Sequence, residues 1–141
     1  MSIHNCETLS MDTIHIELMK KALKEAEKAR QKGEVPIGAV LVADRQQILA
    51  AAHNRTISLN DPTAHAEILA LRSAAAKIGN YRLLNTMLYV TVEPCPMCMG
   101  AAIHARVSRV IFGTRDPKWG AAGSLYNFAA EQRFKDFDLT E

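Results

Sequence analysis

Four side chains in this sequence have the types and spacing for metal chemistry. His65 and Glu67 stand two apart in DPTAHAEILALRSAA, Asp61 to Ala75, and Cys95 and Cys98 form a C-x-x-C pair in VEPCPMCMG, Val92 to Gly100. One imidazole and two thiolates make up a catalytic zinc set: three protein ligands, with the fourth position left to water. Glu67 then remains beside that water, where a general base is needed. Residues two apart do not share a helix face. The objection weakens if both groups lie in a first turn, where side chains can converge beyond the helix end. Pro96 suits the first position of a helix, and Asp61 and Pro62 read as a similar start to the helix Asp61–Ala75. Two positive helix ends would favour thiolates and a bound hydroxide.

Each motif alone has a plainer reading. A lone histidine is more often a surface or satisfied core residue, and C-x-x-C alone could be a redox pair or half of a structural zinc site. A thioredoxin-like role explains Cys95 and Cys98 but gives His65 and Glu67 no work. A structural zinc site wants a fourth protein ligand. His104 falls about two turns into its helix, too far from the opening, and reads as a packing or interface residue. His4, His15 and Cys6 read as tail or surface residues, and His53 as a strand-end residue near the site.

The elements that must position these groups alternate. Thr13 to Gln31 carries Leu18, Met19, Ala22, Leu23 and Ala26 on one stripe, and Gly33 stops that helix. GAVLVAD, Gly38 to Asp44, reads as a buried strand, and QQILAAAHN, Gln46 to Asn54, as its hairpin partner. After the helix that opens at Asp61 comes TMLYVTVE, Thr86 to Glu93, rich in β-branched residues. A helix from Pro96, a strand RVIFGT at Arg109 to Thr114, a helix capped by Ser124 that runs through Phe128 and Ala129, and a short strand FDLT, Phe137 to Thr140, complete the order. The pattern predicts a three-layer α-β-α sandwich, with the site at strand carboxyl ends.

The chain has 141 residues, 48% of them hydrophobic and 23% charged, with a formal charge of +2. That suits one domain with its own core and neither demands nor excludes a nucleic-acid partner. The expected organisation is a single domain over residues 1–141, with 1–12 as a flexible tail. No apolar run reaches the length of a membrane span, and the first residues lack the basic and apolar regions of a signal peptide, so a cytoplasmic location is expected. Three cysteines, unevenly placed, do not make a secreted disulfide scaffold.

Together, H-x-E and the later P-C-x-x-C form the signature of zinc deaminases. Between about Glu34 and Ser124 the sequence resembles the bacterial tRNA-specific adenosine deaminases of the cytidine deaminase-like superfamily. The likeness lies in EVPIGAVLV, HNR, DPTAHAEI, YRL, LYVTVEPCPMCMGAAIHARV and VIFGTRDPKWGAAGS. The zinc motif identifies only the superfamily; DPTAHAEI and RDPKWGAAGS point to the tRNA enzymes. The resemblance implies a mixed sheet of about five strands between helices, a homodimer, one Zn²⁺ per chain held by His65, Cys95 and Cys98, and conversion of adenosine to inosine at the wobble position, with the tRNA anticodon stem-loop as partner. It also implies that Asn54 hydrogen-bonds the base, that Val35, Pro36 and Ile37 line its pocket, and that the Ala66 N–H faces the pocket and could bind the base.

With those ligands, Glu67 is expected to take a proton from water and pass it to N1 of adenine as C6 is attacked. By resemblance, the loop TRDPKWGAAGS faces the nucleotides flanking the target, where Arg115 and Lys118 can neutralise phosphates. Asp116 is odd in that company unless it accepts a hydrogen bond from a ribose 2′-hydroxyl; the bland reading is a connector with turn residues. The small residues of MCMGAAIHA permit close approach by another helix, in a dimer or against the chain's own sheet. One departure from the family is an Asn-His-Arg-like stretch, a strand and a long basic C-terminal helix, which this sequence, ending RFKDFDLTE, lacks; that bears on tRNA affinity more than on zinc chemistry. Two other functions stay open: deamination of a free base or nucleotide such as guanine, cytosine or deoxycytidylate, and RNA binding by a non-catalytic zinc-bearing relative.

Overall fold

The computed structural model describes residues 2–44, 47–130 and 138–140. Its elements are α1 (Ser2–Gln31), β1 (Gly38–Val42), β2 (Ile48–His53), α2 (Ala66–Ile78), β3 (Met87–Val92), α3 (Pro96–His104), β4 (Arg109–Thr114) and β5 (Asp138–Thr140). The strands form one five-stranded sheet in the order β2-β1-β3-β4-β5. β1 is antiparallel to both β2 and β3, whereas β3, β4 and β5 are parallel. This is the mixed sheet that was expected.

The alternation of side chains along the strands builds the three layers. Ala39 and Leu41 of β1, Leu88 and Val90 of β3, and Val110 and Phe112 of β4 pack with α2 and α3. Val40 and Val42, Tyr89 and Ile111 point the other way, to Leu18 and Ala22 of α1. The helices meet the sheet closely because the touching residues are small. α2 offers Ala66, Ala70 and Ala74, all fully buried. α1 lies so near β1 that a Cβ on Gly38 would overlap the Ala22 carbonyl.

Strand direction decides where the site forms. β1 runs against its two neighbours, so β2, β3, β4 and β5 all point one way. Their carboxyl ends share an edge with the start of β1, as the pairing of Gly38 with His53 and of Val92 with Thr114 shows. Residues 35–37, 54–65, 93–95 and 115–124 therefore gather along one rim.

Three elements differ from the sequence expectation. α1 begins at Ser2 rather than Thr13; no Gly or Pro interrupts the segment before Thr13. α2 begins at Ala66 rather than Asp61, because Asp61 builds a turn: its Oδ1 accepts hydrogen bonds from the Thr63 N–H at 2.8 Å and the Thr63 hydroxyl at 2.7 Å. The helix expected after Ser124 is, among the described residues, one 3₁₀ turn at Phe128–Ala130, and Ser124 serves another partner. Gln46 and Phe137, expected as the first residues of two strands, lie outside the described residues. Among the described residues no helix is long and apolar enough to cross a membrane.

Candidate metal and active site

His65 and Cys95 occupy the same structural position. Each is the N-cap of its helix with extended backbone, and neither side chain caps its own helix. The carbonyl of each accepts the first helical hydrogen bond, from Leu69 and from Met99. With the backbone so engaged, the side chains turn outward and meet. His65 Nδ1 lies 3.6 Å from Cys95 Sγ and 3.5 Å from Cys98 Sγ. All three donor atoms fall within 4.8 Å of one another.

These separations fit a metal ion. Tetrahedral bonds of about 2.3 Å to sulfur and 2.0–2.1 Å to nitrogen place an N and an S ligand about 3.5 Å apart. The charge distribution fits as well. A hydrogen bond from Cys98, with help from His65, pulls the Cys95 thiol down to about 4. The Cys98 thiol is pushed up by its bond to Cys95 and by burial. Two sulfurs so close share one negative charge until a cation lets both ionise. The hydrogen bond with Cys95 also raises His65.

Glu67 is the second residue of α2, buried, and coupled electrostatically to Cys95 and His65. Its Oε1 is a fully buried oxygen without a hydrogen-bond partner among the described residues. Burial pushes its carboxyl up to about 7. An unpaired carboxylate oxygen beside the ligand set is costly to bury and is placed to exchange a proton with a group that enters the site.

The remaining predicted residues take up different places along the rim. Asn54, buried at the end of β2, accepts the Ala66 N–H on its Oδ1 at 2.7 Å. In this structure the Ala66 N–H is engaged in holding Asn54. Asn54 N–H in turn donates to the Ile37 carbonyl, which ties Asn54 to the segment Val35, Pro36 and Ile37. Val35 is 53% exposed. His53 is buried at the end of β2, with Nδ1 3.0 Å from the Asn54 carbonyl. His104 is exposed at the last position of α3, away from the ligand set. Asp116 has Oδ1 occupied by the Lys118 and Trp119 N–H groups at 3.1 and 3.2 Å, so it organises its own turn. Lys118 is exposed.

Two buried glutamates that shape the rim were assigned no role in the sequence reading. Glu34 accepts the Ile57 and Ser58 N–H groups at 3.0 and 2.8 Å and so fastens the loop after Asn54. Glu93 accepts the N–H groups of Asp116, Ala122 and Ser124, and the Ser124 hydroxyl. Burial opposes ionisation of Glu93, but these bonds win and hold its carboxyl below the usual range. The sequence carried a signal: Glu93 follows the apolar run of β3 directly, and a charge at the end of a buried strand needs partners.

Residues 12–114 match the cytidine and deoxycytidylate deaminase zinc-binding region, and the chain belongs to that family. Within it, the chain is 54% identical over 111 residues to the tRNA-specific adenosine deaminase of Haemophilus influenzae; the match covers 79% of this chain and spans 64% of that relative's length. A solved structure from work on A-to-I editing by tRNA:A34 deaminases at the wobble position superposes with a TM-score of 0.84 at 44% identity, covering 89% of this chain and 96% of the other. The guanine deaminase of Bacillus subtilis superposes with a TM-score of 0.69 at 40% identity, over 72% of this chain and 64% of that one.

Proposed function

We propose that the chain hydrolytically deaminates adenosine to inosine at the wobble position of tRNA, with one Zn²⁺ held by His65, Cys95 and Cys98. The observation that carries the chemistry is the buried, unpartnered Glu67 Oε1 beside three donor atoms at tetrahedral spacing. A zinc ion held there would supply an activated water as the nucleophile. Glu67 takes the proton of the attacking water and delivers it to N1 of adenine as oxygen adds to C6. A further proton lets the exocyclic nitrogen leave as ammonia, so adenosine and water become inosine and ammonia.

The other residues hold the base. Asn54, fixed through Oδ1 by Ala66, presents its amide N–H₂ to a ring acceptor, and Val35, Pro36 and Ile37 form an apolar wall. Lys118 neutralises a phosphate of the flanking strand, and Asp116, once its turn is made, has its second oxygen for a ribose 2′-hydroxyl. The substrate assignment is supported by the two tRNA deaminase relatives. A homodimer is supported by the apolar outer surface of α2 and α3, where Ile68, Leu71, Tyr81 and Ala101 line a shallow groove. A tRNA partner makes the cytoplasm its place of work.

The likeness to guanine deaminase favours a second reading, a free purine base as substrate. The two separate in one assay: ammonia release and inosine formation from a tRNA anticodon stem-loop, against ammonia release from free guanine, with Glu67→Gln as control. Turnover of guanine but not of the stem-loop overturns the tRNA assignment and leaves the site chemistry standing.

A further inference from the structure

The sole tryptophan of the chain, Trp119, is held at the rim in a way that suggests a use. β4 ends at Thr114 beside Val92, and the chain then crosses the rim as residues 115–124. That crossing is fastened to the two residues immediately before Cys95: Asp116, Ala122 and Ser124 donate to Glu93, and Ala121 N–H donates to the Pro94 carbonyl at 2.8 Å. Within it, the Trp119 N–H is bound by Asp116 Oδ1, and the Gly120 N–H donates to the Asp116 carbonyl. The backbone beneath Trp119 is thus pinned on both sides and tied to the strand end that carries a zinc ligand. Yet the side chain is 57% exposed. A large aromatic left in water on a rigid mount forgoes the burial that tryptophan normally finds.

Its neighbour indicates what covers it. Lys118, the residue before it, is exposed. An exposed aromatic ring next in sequence to an exposed lysine suits a single-stranded nucleic acid: a phosphate meets the charge and a base stacks on the ring. An enzyme that acts on a base within a strand must first draw it out of its stack, which leaves the adjacent base without a neighbour on one side. The target enters at this same rim, so the nucleotide next to it passes within reach of residues 115–124.

From this we infer that the Trp119 indole stacks on a base adjacent to the target adenosine and acts as a substrate-positioning platform. The inference rests on the RNA reading given above, and its test separates the two.

Because Trp119 is the only tryptophan, its emission reports directly. The zinc-loaded full chain carrying Glu67→Ala, which binds without turnover, is titrated with an anticodon hairpin. Binding is followed in parallel by the anisotropy of a labelled hairpin. The expected result is quenching of Trp119 emission that saturates at the same hairpin concentration as the anisotropy. Trp119→Ala should weaken hairpin binding about fivefold to a hundredfold, the usual range for losing one stacked base, and Trp119→Phe should recover most of it. In the active enzyme the loss should fall on KM rather than kcat. Hairpin binding without quenching, or with equal affinity in Trp119→Ala, overturns the platform and leaves the RNA reading intact. So does a Trp119→Ala chain whose only change is a weaker self-association by sedimentation, which assigns the indole to a contact between copies. Absence of hairpin binding in every variant overturns both.

Discussion

The Glu93 carboxylate occupies the space that a Cβ on Gly120 would need. Gly120 lies at the centre of the segment that Glu93 binds, so one buried carboxylate both fastens the 116–124 crossing and excludes any side chain at its midpoint. Glu93 stands two residues before Cys95, so the same contact joins this crossing to the candidate metal site. Gly120→Ala should displace Glu93 and loosen hydrogen bonds to a charged acceptor, each worth roughly 1.5–3 kcal/mol. The expected outcome is a lower unfolding midpoint and a raised KM for the stem-loop, with zinc retained. Denaturant unfolding and elemental analysis check it; an unchanged midpoint would show that Glu93 can shift without loss.

Metal content tests the ligand set. The purified protein should hold about one Zn²⁺ per chain. Cys95→Ala and Cys98→Ala should lose it, whereas Cys6→Ser should keep it. Full zinc retention in both of the first two variants, by elemental analysis, would remove the C-x-x-C pair from the site.

Glu67 divides binding from chemistry. Glu67→Ala should keep zinc, because the carboxylate is not a ligand, and should lose at least ~10²-fold in kcat, the scale of a missing general acid–base group. Inosine formation in single-turnover reactions is the measurement, and near-normal rates would exclude Glu67 from the proton path.

Asn54→Ala should show two effects at once. It strands the buried Ala66 N–H, which costs roughly 1–3 kcal/mol of stability, and it removes the amide proposed to meet the base. Both the unfolding midpoint and kcat/KM should fall. A stability loss with unchanged kcat/KM would make Asn54 a support for α2 alone.

Asp116→Asn isolates charge from turn geometry. The asparagine keeps the Oδ1 that accepts the Lys118 and Trp119 N–H groups, so the turn should survive, while repulsion of phosphate and the strong acceptor for a 2′-hydroxyl are both reduced. The ratio of DNA to RNA deamination should rise, as kcat/KM on matched hairpins. Lys118→Ala should instead weaken both substrates alike. A ratio unmoved by Asp116→Asn would reduce the segment to a connector.

What the sequence determined by itself is what local pattern and residue chemistry encode. Short apolar runs rich in β-branched residues specified the strands within a residue or two, with RVIFGT matching β4 at both ends. The imidazole, the C-x-x-C pair and the leftover carboxylate named the chemistry, because few other sets of side chains serve zinc and a proton together. Tertiary structure decided the rest wherever a polar group had more than one partner within reach. Asp61 took a local turn in place of a helix start, and that shift made His65 an N-cap that mirrors Cys95. The Ala66 N–H went to Asn54, and Ser124 left a predicted helix for Glu93. The choices of Ala66 and Ser124 depend on which strand ends share an edge. That is fixed by long-range pairing, in which β1 runs against its neighbours, and no window of sequence contains it.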